Sequence, residues 1–157
     1  MKKSFIYKNF KPPVIFKEKK FILEPLAPKY LKLDYKAIMS SVKHLQKSPT
    51  PPICDDWPSK DLTMEQDLKD LKWHEKEFKN KTSFAYTILN PDKSKCLGCV
   101  YIFPINKQDY DCEVYFWVTK EQFDKGFGPK LHNKLLKWLT DSWPFKKIIF
   151  PGRENSK

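Results

Sequence analysis

The sequence is poor in the residues that grip phosphate and that punctuate a chain. Arg153 is the one arginine among 30 basic residues, and there are four glycines in 157 residues. Bidentate phosphate grips and specific base readout favour arginine over lysine, so its scarcity argues against sequence-specific nucleic-acid recognition. The longest apolar run, Cys96 to Phe103, is eight residues, far short of the roughly 20 that a bilayer-spanning helix needs. Lys2 and Lys3 match the basic start of a secretory leader, but polar residues between Tyr7 and Lys11 interrupt the apolar stretch that should follow. The expectation is a cytoplasmic protein with no membrane span. No second C-x-x-C or spaced histidine pair accompanies Cys96-Leu97-Gly98-Cys99, and no serine or cysteine is flanked by a convincing histidine base.

What is present is enough to fold. With 40% hydrophobic and 15% aromatic residues, the chain can bury one core of useful size. Its formal charge of +11 is distributed in blocks: about +6 over residues 1–20, −4 over 55–77 and +4 over 120–147. Alternation in sign suits a solvated globular surface. Lysine-rich charge also permits sequence-blind polyanion binding, so a basic nucleic-acid-associated protein stays as a third-ranked reading. The expected organisation is a basic N-terminal arm (1–20), a single domain (21–152) and a polar tail (153–157).

Periodicity supplies the elements. Phe21 to Leu26 reads as a strand, and apolar residues at Leu33, Ala37, Ile38, Val42 and Leu45 as a helix closed by Ser48-Pro-Thr-Pro-Pro52. Pro49 to Lys60 is a stiff loop. Thr63-Met-Glu-Gln66 is a capping box, which opens a helix running to about Asn80 with His74 beside its apolar stripe. His74 is expected to be a packed, hydrogen-bonded structural residue. Strands follow over Phe84–Leu89, Cys96–Phe103 and Glu113–Thr119; the last sets Val114, Phe116 and Val118 against Glu113, Tyr115 and Trp117. In a regular strand Cys96 and Cys99 point to opposite faces, so they are expected to be buried free thiols and no metal site is expected.

The unit from Val114 to Trp138 carries the most chemical information. A strand leads through a loop with the only Gly-x-Gly, Gly126-Phe127-Gly128, into a helix rich in leucine. Such a unit aims backbone N–H groups and the positive end of a helix dipole at one point, a phosphate-binding arrangement. Lys120, Lys125 and Lys130 surround it. It is neither a P-loop, for no G-K-[ST] follows, nor G-x-G-x-x-G, for position 131 is Leu.

From Phe21 to Gly152 the order of these pieces resembles the GNAT superfamily of acyl-CoA-dependent N-acetyltransferases. The resemblance is carried by Phe21-Ile-Leu-Glu-Pro-Leu26, Gly98-Cys-Val-Tyr-Ile102, Phe116-Trp-Val118 and the glycine loop. It extends to short GNAT-like proteins sharing Trp57-Pro58, Leu62-Thr63, Asp70-Leu71, Phe84-Ala-Tyr86 and Trp143-Pro-Phe145. It implies an α/β (α+β) fold with a mixed, mostly antiparallel sheet flanked by helices, and adjacent parallel strands that splay to admit a pantetheine arm. The usual C-terminal strands are expected to be missing, for the sequence ends seven residues after Phe150.

By the same resemblance, acetyl-CoA is the cosubstrate. Its phosphates map onto Phe123, Lys125, Gly126, Phe127 and Gly128, Phe123 standing where the family usually has a polar residue. The pantetheine arm maps onto the backbone of Trp117, Val118 and Thr119. Glu113 is the implied base and Tyr115 the implied acid, each with an ordinary structural alternative: a solvated carboxylate and a pocket-wall aromatic. Asp55, Asp56 and Trp57 suit the side that takes the amine, a small molecule or a protein amine. A second copy of the chain could complete that pocket as a homodimer. The alternative is a catalytically degenerate GNAT fold that binds CoA, another ligand or a partner without turnover.

Overall fold

The computed structural model describes residues 6–51, 57–106 and 109–154. Its sheet has six strands in sequential order: β1 (Phe16–Lys17), β2 (Ile22–Pro25), β3 (Phe84–Leu89), β4 (Cys96–Phe103), β5 (Cys112–Val118) and β6 (Ile148–Ile149). All neighbours are antiparallel except β5 and β6. The helices are α1 (Leu31–Met39), α2 (Val42–Gln46), α3 (Met64–Lys79), α4 (Lys120–Asp124) and α5 (Phe127–Ser142). No helix among the described residues is long and apolar enough to cross a membrane.

The sheet separates two apolar layers. Leu131, Leu135, Trp138 and Leu139 of α5 pack with Tyr86, Val100, Val114 and Phe116 on one face. Ala37 and Ile38 of α1, Leu45 of α2 and Leu71 of α3 pack with Ala85, Cys99, Tyr101 and Trp117 on the other. β3 is buried throughout, and β4 in all but its last residue, as a continuous apolar run requires of a strand covered on both sides. The alternation expected of β5 holds, with Val114, Phe116 and Val118 in the first layer and Tyr115 and Trp117 in the second. The capping box of α3 also forms, Gln66 N donating to Thr63 Oγ1 and Thr63 N donating to Gln66 Oε1.

Four features differ from the pattern read in the sequence. The first helix is two, because Ser40 and Ser41 interrupt it: Ser40 Oγ bonds the Ala37 carbonyl, and Ser41 Oγ instead accepts from Lys120 N at 2.8 Å. A short helix, α4, occupies the segment between β5 and Gly126, begun by Thr119, whose Oγ1 accepts from Gln122 N. Segment 6–20 is packed onto the domain: Ile6 is core, Phe10 and Phe16 lie against it, and the Pro13 carbonyl accepts from Tyr86 OH at 2.6 Å.

The fourth difference corrects the cysteine geometry. Leu89 pairs with Cys96 while Ile88 pairs with Gly98, so Leu97 is an extra residue, a β-bulge. The bulge reverses the alternation over one step. Cys96 and Cys99 therefore share the α1–α3 face, whereas Leu97 joins the other layer.

Candidate functional site

The parallel ladder between β5 and β6 spans only Cys112 opposite Ile148 and Glu113 opposite Ile149. Beyond it β5 runs on to Val118, while the other chain ends its strand at Ile149 and turns at Phe150–Arg153, Arg153 N donating to the Phe150 carbonyl. From Val114 to Val118 that edge of β5 has no strand partner among the described residues. The ladder ends where β6 ends, and Phe150 and Arg153 remain beside Phe116.

Successive residues of a strand direct their backbone groups to opposite edges, which determines what this edge offers. Trp117 O points toward β4, where a Cβ on Gly98 would lie 2.0 Å from it, and Thr119 N donates to Leu97 O. The groups on the open edge are those of Phe116 and Val118. Of the expected trio Trp117, Val118 and Thr119, only Val118 faces outward, and Phe116 is its partner there. The Trp117 indole is wholly buried and donates to Tyr101 OH at 2.9 Å.

Two side chains meet this edge. Arg153 donates to the Phe116 carbonyl at 2.9 Å, with its guanidinium carbon 3.9 Å from the Phe116 ring centroid. Its Nε is buried with no hydrogen-bond partner, and burial brings its pKa down to about 10, so it stays cationic near neutrality. A residue read as polar tail is a fitted part of the site. His44 of α2 lies beside the Val118 backbone, and its pKa is lowered, first by burial and then by Lys120. Neither residue was singled out by sequence reasoning; Arg153 had a signal, being the only arginine, but the fold contact was not legible.

The open edge leads to the start of α5. Gly126 has φ 76°, a left-handed value that favours glycine, and no side chain caps the helix N-terminus. No atom lies within 4 Å of where a Cβ on Gly126 or Gly128 would stand, although Gly128 is buried. The loop therefore has room beside its backbone. Phe123 is 56% exposed and its ring packs at a tilt against His44, centroids 4.7 Å apart. Phe127 faces inward against Phe21. Lys125 pairs with Glu121 at 3.2 Å, Lys95 with the same carboxylate at 2.7 Å, and Lys120 with Asp124. Much of the positive charge expected there is offset by acids of α4.

Glu113 and Tyr115 lie one step along the second face of β5, both half-buried. The Tyr115 hydroxyl is pushed above its ordinary pKa, by burial first and then by Glu113 and Glu154. Trp57 packs on Trp117 with centroids 6.0 Å apart, in the same layer as Tyr115. Asp55 and Asp56 lie outside the described residues. A cleft of about 590 Å³ at the end of β2, lined by Glu24, Lys29, Tyr30 and Glu75 among others, is separated from β5 by both β3 and β4. The Glu24 carboxylate there is already engaged by Tyr30 OH and by Lys93.

The open edge, the glycine-led helix start and the sequential sheet can be compared with solved structures. A ribosomal-protein-S5-alanine acetyltransferase from Vibrio fischeri superposes with TM-score 0.61 at 16% identity, over 81% of this chain and 67% of that one. A Bordetella pertussis protein described as a GnaT-family acetyltransferase gives 0.59 at 15%, over 85% and 75%. The microcin C7 self-immunity acetyltransferase, solved with acetyl-CoA and AMP, gives 0.60 at 20%, over 80% and 65%. The fold is that of the GNAT acetyltransferases. This GNAT fold spans about two-thirds of the length of the first of those structures. No family model and no curated protein sequence matches the chain.

Proposed function

We propose that this GNAT-fold chain is an acyl-CoA-dependent N-acyltransferase acting on an amine. The observation that carries the reading is the β5 edge, without a strand partner from Val114 to Val118 and followed in the chain, after α4, by the uncapped N-terminus of α5. An extended, amide-containing pantetheine arm can add to such an edge as a strand would, through Phe116 and Val118. The amides of Phe127, Gly128 and Lys130, together with the α5 dipole, suit the pyrophosphate, and the open space at Gly128 admits it. The fold neighbour solved with acetyl-CoA supports the same choice of cosubstrate.

In the reaction the amine nitrogen forms a bond to the thioester carbonyl carbon and the carbon–sulfur bond breaks. The incoming ammonium must first lose a proton, and the departing thiolate must gain one. Glu113 is the acceptor for the first. Tyr115, kept protonated by its surroundings, is a donor for the second. Trp57 forms the acceptor-side wall above the same layer.

Arg153 favours a second reading. Its guanidinium holds the Phe116 carbonyl that the arm would use, so a CoA held by its phosphates alone would bind without its thioester being placed for turnover. Two measurements separate the readings. Acetyl-CoA at millimolar concentration is expected to raise the melting temperature, since a ligand bound by the folded state alone stabilises it, and Gly126→Glu is expected to abolish the rise. Thiol release across a panel of amines then reports turnover. A flat melting curve counts against both readings; a shift without turnover on any amine supports the second.

A further inference from the structure

Away from that edge, beneath α1 and α3, the bulge in β4 gathers three potential metal donors. Cys99 Sγ lies 3.3 Å from Asp34 Oδ1, and the donor atoms of Asp34, Cys96 and Cys99 all fall within 4.8 Å of one another. Asp67 of α3 lies beside Asp34, outside that trio. Its Oδ2 is buried with no hydrogen-bond partner, in a residue only 2% exposed. Both thiols are free and buried. None of the ion pairs among the described residues involves Asp34 or Asp67. Two adjacent carboxyls out of reach of any cation are costly to bury unless protonated or neutralised.

We propose that Asp34, Cys96 and Cys99, with Asp67 drawn in from α3 as the fourth ligand, form a structural site for a thiophilic divalent cation of the Zn²⁺ class. Two thiolates select for a soft or borderline metal, and two carboxylates complete a four-donor set. Two thiolates and two carboxylates around a +2 ion leave the same net charge as a four-cysteine zinc site. Binding forms two metal–sulfur and two metal–oxygen bonds and releases the thiol protons with any proton held between the carboxyls. Thr87 Oγ1, 3.5 Å from Cys96 Sγ, is placed to hydrogen-bond that sulfur. The donors come from α1, α3 and β4, so the ion would fasten both helices to the sheet.

The test uses the full chain with Cys54→Ser and Cys112→Ser, reduced, stripped of metal with a chelator and titrated with Co²⁺. One Co²⁺ per chain with thiolate-to-cobalt charge-transfer absorption, displaced by Zn²⁺ and lost on adding Cys96→Ser or Cys99→Ser, is expected. Zn²⁺ should also raise the melting temperature of the parent protein and not of those variants. Folded parent protein without the absorption overturns the proposal, whatever the variants do. So does absorption that survives both cysteine replacements, or a Cys96–Cys99 disulfide in the freshly isolated protein.

Discussion

At the scale of single residues, burial overrides pairing in the α3 histidine. His74 was expected to be hydrogen-bonded, but its Nε2 lies 3.6 Å from Asp70 Oδ2 and has no hydrogen-bond partner. Burial lowers its pKa from 6.5 to about 4, while burial and then Asp67 raise that of Asp70 from 3.8 to about 6. As pH falls below 6.5 the unfolded chain protonates His74 and the folded one does not, so stability is lost down to about pH 4. Asp70 works the other way, because the folded state takes up its proton first. The two contributions oppose over nearly the same window. Asp70→Asn removes the compensation, and its stability should fall relative to the parent by up to about 1.4 kcal/mol per pH unit below about pH 6. Urea unfolding across that window checks this; a difference that does not change with pH would mean that folding does not raise the Asp70 pKa. Gly98 is the other residue with a single-atom consequence. A methyl there would meet the Trp117 carbonyl at 2.0 Å, backbone against backbone. Gly98→Ala should cost about 1–3 kcal/mol by overpacking, read as a lower denaturation midpoint; unchanged stability would mean β4 and β5 are further apart.

Among the elements, legibility followed the range of the interaction. The α3 boundary was readable because Thr63 and Gln66 are three residues apart and satisfy one another. The faces of β5 were readable because alternation is local. The β4 bulge was not, for one extra residue, Leu97, is visible only against its partner strand. The same holds for Ser41, whose hydroxyl ends one helix by bonding the start of another 79 residues away. The β5 edge combines both cases: its strand was legible, but which backbone groups face outward, and that Arg153 returns to meet them, required the fold. Because Arg153 and a pantetheine amide would compete for the Phe116 carbonyl, Arg153→Ala should tighten acetyl-CoA binding several-fold, measured by calorimetry. Weaker binding in that variant would instead make Arg153 a cofactor contact.

Across the whole molecule, charge behaves differently from its total. The formal +11 belongs to the full sequence, and the ion pairs formed by lysines among the described residues are mostly exposed, such as Lys137–Asp141 and Lys134–Glu18. Exposed pairs of this kind contribute about 0–1 kcal/mol each. Long-range repulsion among the remaining lysines opposes compaction and extends as far as the Debye length, about 30 Å at 0.01 M salt and about 8 Å at 0.15 M. Raising ionic strength across that range screens repulsion between distant lysines more than it weakens contacts 3–4 Å long. The melting temperature is therefore expected to rise with sodium chloride, and the rise should shrink in variants where surface lysines such as Lys43 and Lys69 become glutamine. A melting temperature that falls with salt would mean the lysine–carboxylate pairs, and not net repulsion, dominate this surface.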